Sequence, residues 1–169
     1  MPALAHIGIG LAIKRFAPQI PLWVLVICSM VLDLLSFIFL FAIWITHGLF
    51  MSVIWSIIAV LITILITGWI NLKKEHNKRK SSVIFNTKNL QIGIIIGLLV
   101  FSHWILDFIG WPMSVIDSNA TGVPLLLDDT VTIGIGVYST WLGALLMDIG
   151  VFVGGIVFYI HYIKKVKKN

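Results

Sequence analysis

Apolar residues fill four long runs, over 22–45, 49–70, 90–111 and 140–163, and charged residues collect in the short segments between them. A helix rises about 1.5 Å per residue, so each run is long enough to cross a hydrocarbon core of about 30 Å. A further apolar run over 3–13 has only eleven residues. That length predicts a half-crossing or interfacial helix, ended by Pro18 and Pro21, which hold the linker in extended or turn conformations. The pattern therefore predicts an all-α, polytopic membrane helical bundle with four transmembrane helices plus the short N-terminal helix. It forms a single integral membrane domain over 1–169. A cytoplasmic basic loop is expected at about 72–89 and an external loop at about 111–139.

Composition agrees with this reading and removes the soluble classes. Apolar residues make up 59% of the chain and charged residues 11%, with a mean hydropathy of +1.05. A soluble domain keeps its surface wet with about a quarter charged residues. The net charge of +5 would suit nucleic acid, but its distribution excludes that partner. All twelve basic residues fall in three patches: Lys14-Arg15; Lys73, Lys74, Lys78, Arg79, Lys80 and Lys88; and Lys164, Lys165, Lys167 and Lys168. The positive-inside rule puts all three in the cytoplasm, with the C-terminus. The external loop, by contrast, carries Asp117, Asp128 and Asp129 and no basic residue. Lys14-Arg15 follow the first apolar run, whereas a secretory signal carries its charge first, so the segment is expected to stay in the mature chain.

Smaller features need only structural explanations. The lone cysteine, Cys28, excludes an intramolecular disulfide and argues against a thiolate zinc site. Gly93/Gly97 and Gly150/Gly154 have the GxxxG spacing of close helix packing, and such faces could also join a homo-oligomer. KKEHNKRKSS reads as a solvated loop beside anionic headgroups. Gly134-Ile135-Gly136 has no phosphate-binding helix pattern after it. Tryptophans such as Trp23, Trp44, Trp104, Trp111 and Trp141 lie near span ends, as an aromatic belt would.

The ionisable residues inside the apolar runs point to chemistry, because each costs at least about 2.5–3.5 kcal/mol at bilayer depth. They are His6, Asp33, His47, His103, Asp107 and Asp148. His161, at the end of the last run, is expected to snorkel to the interface. With the topology above, all six deep groups fall toward the outer leaflet. His103 and Asp107 are four residues apart, so they share one helix face. With His6, Asp33 and His47 they make a set of imidazoles and carboxylates that suits zinc first, with manganese or iron as alternatives. The bland alternative has each histidine bonded to a backbone carbonyl or a hydroxyl, with Ser102 and Thr46 adjacent, and each aspartate capping a helix.

Pro2-Ala3-Leu4-Ala5-His6, Leu32-Asp33-Leu34-Leu35, Thr46-His47-Gly48-Leu49 and Ser102-His103-Trp104-Ile105-Leu106-Asp107-Phe108 occur in an order that resembles one family. It is the small bacterial inner-membrane proteins described as predicted membrane-bound metal-dependent hydrolases. The resemblance covers roughly residues 2–112, and the external loop and last helix match more loosely. Where many relatives carry Pro-Asp this chain has Leu32-Asp33, and Gly48 stands where many have Arg or Ser. The resemblance implies His6, Asp33, His47, His103 and Asp107 as metal or catalytic residues in a bacterial cytoplasmic membrane. On this reading His6, His47 and His103 are ligands, with Asp33 or Asp107 completing the shell and the other acting as base or orienter. The substrate is expected to be a lipid-like ester or phosphoester, with membrane lipids as partners. The rival expectations are a proton- or metal-ion transporter using the same groups, and a non-enzymatic membrane scaffold.

Overall fold

The computed structural model describes residues 3–38, 46–74, 86–115, 118–127 and 130–167. Pro2, Trp44, the loop residues Lys78, Arg79 and Lys80, the external Asp117, Asp128 and Asp129, and Lys168 lie outside them. The described chain is mostly helical: α1 (Ala3–Ile13), α2 (Leu22–Ser29), α3 (Val31–Ile38), α4 (Leu49–Lys74), α5 (Thr87–Gly110) and α6 (Trp141–Val166). Three of these, α4, α5 and α6, are long and apolar enough to cross a membrane. They make this a membrane protein.

Two features depart from the sequence expectation. The run over 22–45, expected as one span, is described as far as residue 38 as two eight-residue helices. They meet at Met30, whose φ of −110° and ψ of 6° leave the helical region. One residue earlier, the Ser29 hydroxyl turns back to donate to the Val26 carbonyl at 2.8 Å. The external segment is not wholly irregular either. Val123–Pro124 (β1) and Thr132–Ile133 (β2) form a short antiparallel ladder, Val123 facing Ile133. A 3₁₀ turn over Val137–Ser139 follows.

Two helix pairs build the bundle, and glycine makes both possible. In the α4–α5 pair a Cβ on Gly97 would stand 2.4 Å from Val60 Cγ2, and one on Gly93 3.1 Å from the Val60 carbonyl. These contacts, with Asn71 donating to Asn89 at 3.1 Å, make the pair antiparallel. The hydroxyls of Ser56, Thr63 and Thr67 donate to carbonyls one turn back at 2.7 Å, so α4 carries them into lipid with no orphaned donor. In the α1–α6 pair a Cβ on Gly155 would stand 2.1 Å from the Gly8 carbonyl, and one on Gly8 2.5 Å from the Val151 carbonyl. This pair runs parallel, with Ala5 beside Asp148 and Arg15 beside His161 and Lys165. Gly150 and Gly154 have nothing within 4 Å. Of the two GxxxG pairs, only Gly93/Gly97 packs inside the bundle, and Gly155, one residue on, does the work expected of Gly154.

Between the pairs, Ala17, Ile20, Leu25, Ile96 and Leu99 form the buried apolar core, with Ile9, Ile13 and Val24 packed around it. Outside it α6 is largely bare, with only 6% of its span buried in the protein. The pairings also sort the ends of the bundle. His6, His47, Asp107 and Asp148 share one end, while Lys14, Arg15, Lys73, Lys88, Lys164 and Lys165 share the other.

The two glycine faces of α6 predict opposite outcomes. Gly155→Leu should destabilise the protein by about 1–3 kcal/mol, because the obstruction is backbone that cannot yield. Gly150→Leu should stay within about 0.5 kcal/mol of the parent. Thermal unfolding in detergent, followed by circular dichroism, measures both.

Candidate metal centre

The five residues that the sequence singles out meet at the end of the bundle away from the basic residues. His6 comes from the first turns of α1, Asp33 from α3, His47 from the turn that opens α4, and His103 and Asp107 from the last third of α5. None exposes more than 6% of its surface. Four different chain segments thus send polar groups into one dry volume.

The spacing of their donor atoms is regular. His47 Nε2 lies 3.3 Å from Asp33 Oδ1 and 3.7 Å from Asp107 Oδ2. His103 Nε2 lies 3.6 Å from the same Asp33 oxygen and 3.4 Å from the same Asp107 oxygen. Direct hydrogen bonds of this type cluster near about 2.9 Å; these contacts are longer, and of the four only that of His47 with Asp33, at 3.3 Å, still makes a hydrogen bond. The spacings suit ligands gathered about an ion: metal–ligand arms of about 2.0–2.2 Å in a tetrahedron set ligand–ligand edges of about 3.3–3.6 Å, and His47, His103 and Asp107 each offer a donor atom within 4.8 Å of the others.

The unmet polar groups point the same way. His103 Nε2 and both oxygens of Asp107 are buried and have no hydrogen-bond partner, and neither nitrogen of His6 has one. Buried polar groups in native proteins are almost always paired, and an orphaned charged one costs several kcal/mol. A divalent cation among these atoms supplies the missing partner for both carboxylate and imidazole, and the all-nitrogen-and-oxygen donor set matches zinc or manganese.

The far side of each imidazole is held. His103 Nδ1–H donates to the Ser29 carbonyl at 2.9 Å, and a carbonyl can only accept, so the Nε2 lone pair is left facing the two aspartates. That carbonyl is the last of α2, one of the acceptors a helix end leaves without an internal partner. The break at Met30 therefore has a use: it frees the group that orients His103. His47 Nδ1 pairs with Thr46 Oγ1 at 2.6 Å, which turns its Nε2 inward likewise. Ser102, adjacent to His103, instead donates to the Leu99 carbonyl at 2.7 Å.

His6 sits differently. Its ring stacks on that of His103, with centroids 3.7 Å apart and planes within 1° of parallel. Its Nε2 lies 3.6 Å from Asp107 Oδ1, the oxygen turned away from His47 and His103.

Asp148 stands apart from the cluster and supports it. Its Oδ1 accepts the Ala5 N–H at 2.8 Å, one of the unpaired donors in the first turn of α1. That bond anchors the turn that carries His6. Tyr138 is a neighbour that the sequence did not mark. It is buried, and its ring fills the space over Gly110, where a Cβ would lie 2.1 Å from Tyr138 Cε2. Burial pushes the Tyr138 phenol well above its usual range, and the Asp148 and Asp107 carboxylates add to the shift. The segment that carries it is tied to the end of α5, Ile135 N–H donating to the Phe108 carbonyl at 2.8 Å and Gly136 N–H to the Trp111 carbonyl at 2.7 Å. His161 is exposed at the opposite end, as expected of an interfacial residue.

Comparison of the chain with protein-family models, with curated proteins and with solved structures finds no match.

Thr46 offers a test of the outer hydrogen bonds. Losing such an orienting partner typically costs about 10–100-fold in metal affinity, so Thr46→Val should weaken binding by that factor. Ser102→Ala should leave it unchanged. Competition against a chelator of known zinc affinity gives both numbers.

Proposed function

We propose that this chain is a membrane-embedded, metal-dependent hydrolase acting on a lipid-like ester or phosphoester. The observation that carries the reading is the set of four inward-facing donor atoms at 3.3–3.7 Å. They are buried together, and two of the four, His103 Nε2 and Asp107 Oδ2, have no hydrogen-bond partner. His47, His103 and Asp107 would hold the ion, zinc first and manganese or iron as alternatives, with the fourth position left for water. A divalent cation supplies Lewis acidity there, lowering the pKa of water and polarising the bond to be cut. Asp33 keeps the most exposed side chain of the buried set, at 8% against 0–1% for the others, so it is the group from which a proton has the shortest way out. We assign it the role of general base. Asp107 keeps the imidazoles in register, and the apolar walls exclude bulk water.

The same reading takes the run over 22–45 as a fourth crossing and α1 as a half-crossing. It puts the basic end of the bundle and the C-terminus in the cytoplasm of a bacterium, in line with the positive-inside rule. The cluster then lies in the outer half of the cytoplasmic membrane, where the bonds within reach are those of lipids. Residues 2–112 resemble the predicted membrane-bound hydrolases in the order of their motifs, which favours hydrolysis over transport. No ionisable side chain leads from the cluster toward the basic end among the described residues of α4 and α5 before Lys73 and Lys88.

The test is metal analysis joined to an activity screen. Purified protein should retain a divalent metal through dialysis, and His47→Ala or His103→Ala should lose it while staying helical. The metal-loaded parent should cleave fluorogenic lipid esters or phosphoesters in detergent, and the metal-stripped form should not. A folded protein that takes up no metal would contradict the proposal. Ion flux through liposomes without lipid cleavage would move the assignment to transport.

A further inference from the structure

The face-to-face stack of His6 on His103 limits what a single ion can do. An imidazole binds a metal close to its own ring plane, along the nitrogen lone pair. The two planes here are parallel to within 1° and the centroids are 3.7 Å apart. An ion midway between them would sit roughly 60° out of each plane at a zinc–nitrogen distance of about 2.1 Å, which leaves no useful overlap with either lone pair. His6 and His103 in this arrangement therefore do not share an ion.

His6 nonetheless has the marks of a ligand. It is buried to 1% exposure, both of its nitrogens lack partners, and its Nε2 faces an equally unpaired oxygen, Asp107 Oδ1, at 3.6 Å. The two oxygens of Asp107 thus look in different directions, Oδ1 toward His6 and Oδ2 toward His47 and His103. A carboxylate in that position bridges. Asp33 also reaches both sides: His6, Asp33 and His103 each offer a ligand atom within 4.8 Å of the others. Ions lying in the two parallel ring planes would stand at least about the stacking distance apart, and with centroids 3.7 Å apart that is compatible with the spacing of about 3.5–4 Å that paired catalytic ions adopt.

We infer that the cluster is a two-ion centre bridged by Asp107, with His47 and His103 on one ion and His6 on the second. The inference rests on the metal-site reading above and adds the count, the bridge and the separate role of His6. The second ion has fewer protein ligands, so it is the weaker and more exchangeable of the two. Its open positions make it the one that meets substrate oxygens.

The experiment is metal counting on the intact protein in detergent, with zinc and separately with manganese, after removal of loosely held ions. The parent should hold two ions per chain and His6→Ala one, with the helix content unchanged. Electron paramagnetic resonance of the manganese-loaded parent supplies a readout that needs no variant. Two ions at the inferred spacing give a spin-coupled spectrum, whereas an isolated ion gives six sharp lines. One ion per chain in the parent, with the six-line spectrum, overturns the two-ion centre and leaves a mononuclear hydrolase standing. Loss of all metal from a folded His6→Ala also overturns it, since His6 would then belong to the only site. A parent that binds no metal overturns both readings.

Discussion

Two carboxylates and three imidazoles are enclosed in an apolar bundle with no Lys or Arg among them, and much of the structure can be understood from that burden. Each charged group at bilayer depth costs at least about 2.5–3.5 kcal/mol, and unpaired buried polar atoms cost more. The described basic residues sit at the opposite end of the bundle, so none of them neutralises Asp33 or Asp107. The spacing of 3.3–3.7 Å between imidazole and carboxylate, longer than ordinary hydrogen bonds, would suit a bound divalent ion. A bound cation would turn the most costly feature of the fold into its best-held one, because ion and carboxylates would neutralise each other in a medium where that attraction is strong.

The rest of the bundle serves to bring those groups together. Helix ends do most of it. The interruption at Met30 frees the Ser29 carbonyl for His103, the turn before α4 sets Thr46 against His47, and Asp148 on α6 fastens the start of α1 beside His6. Glycine supplies the close approaches: Gly8 against Gly155 seats α1 on α6, and Gly93 and Gly97 seat α4 on α5. Over the top, Tyr138 presses on Gly110, one turn beyond Asp107. The outer segment is thereby tied to the helix that carries two of the five groups.

Much of this was legible in the chain because bilayer chemistry leaves few choices. Charged residues are so scarce that those within apolar runs declare themselves, and the i, i+4 spacing of His103 and Asp107 already put both on one face. The run over 3–13 gave the bounds of α1 directly. What stayed hidden belongs to backbone or to tertiary register. No side-chain pattern marks Ser29 as an acceptor, since the group that serves is its carbonyl and the cause is a helix break. GxxxG spacing identified Gly93 and Gly97, but on α6 it pointed to Gly150 and Gly154, which face open space, because spacing alone does not tell which face of a helix meets its neighbour. Asp148, a sixth ionisable group inside the apolar runs, anchors α1 through the Ala5 N–H. Tyr138 carries no signal at all, lying in a segment whose path only the fold determines.

The central claim is that imidazole and carboxylate together bind an ion inside this membrane bundle, and X-ray absorption at the zinc edge of the loaded protein tests it most directly. The account predicts a shell of nitrogen and oxygen at about 2.0–2.2 Å, the outer-shell scattering of histidine rings, and no sulfur. An absence of retained zinc, or a shell without imidazole scattering, would contradict it.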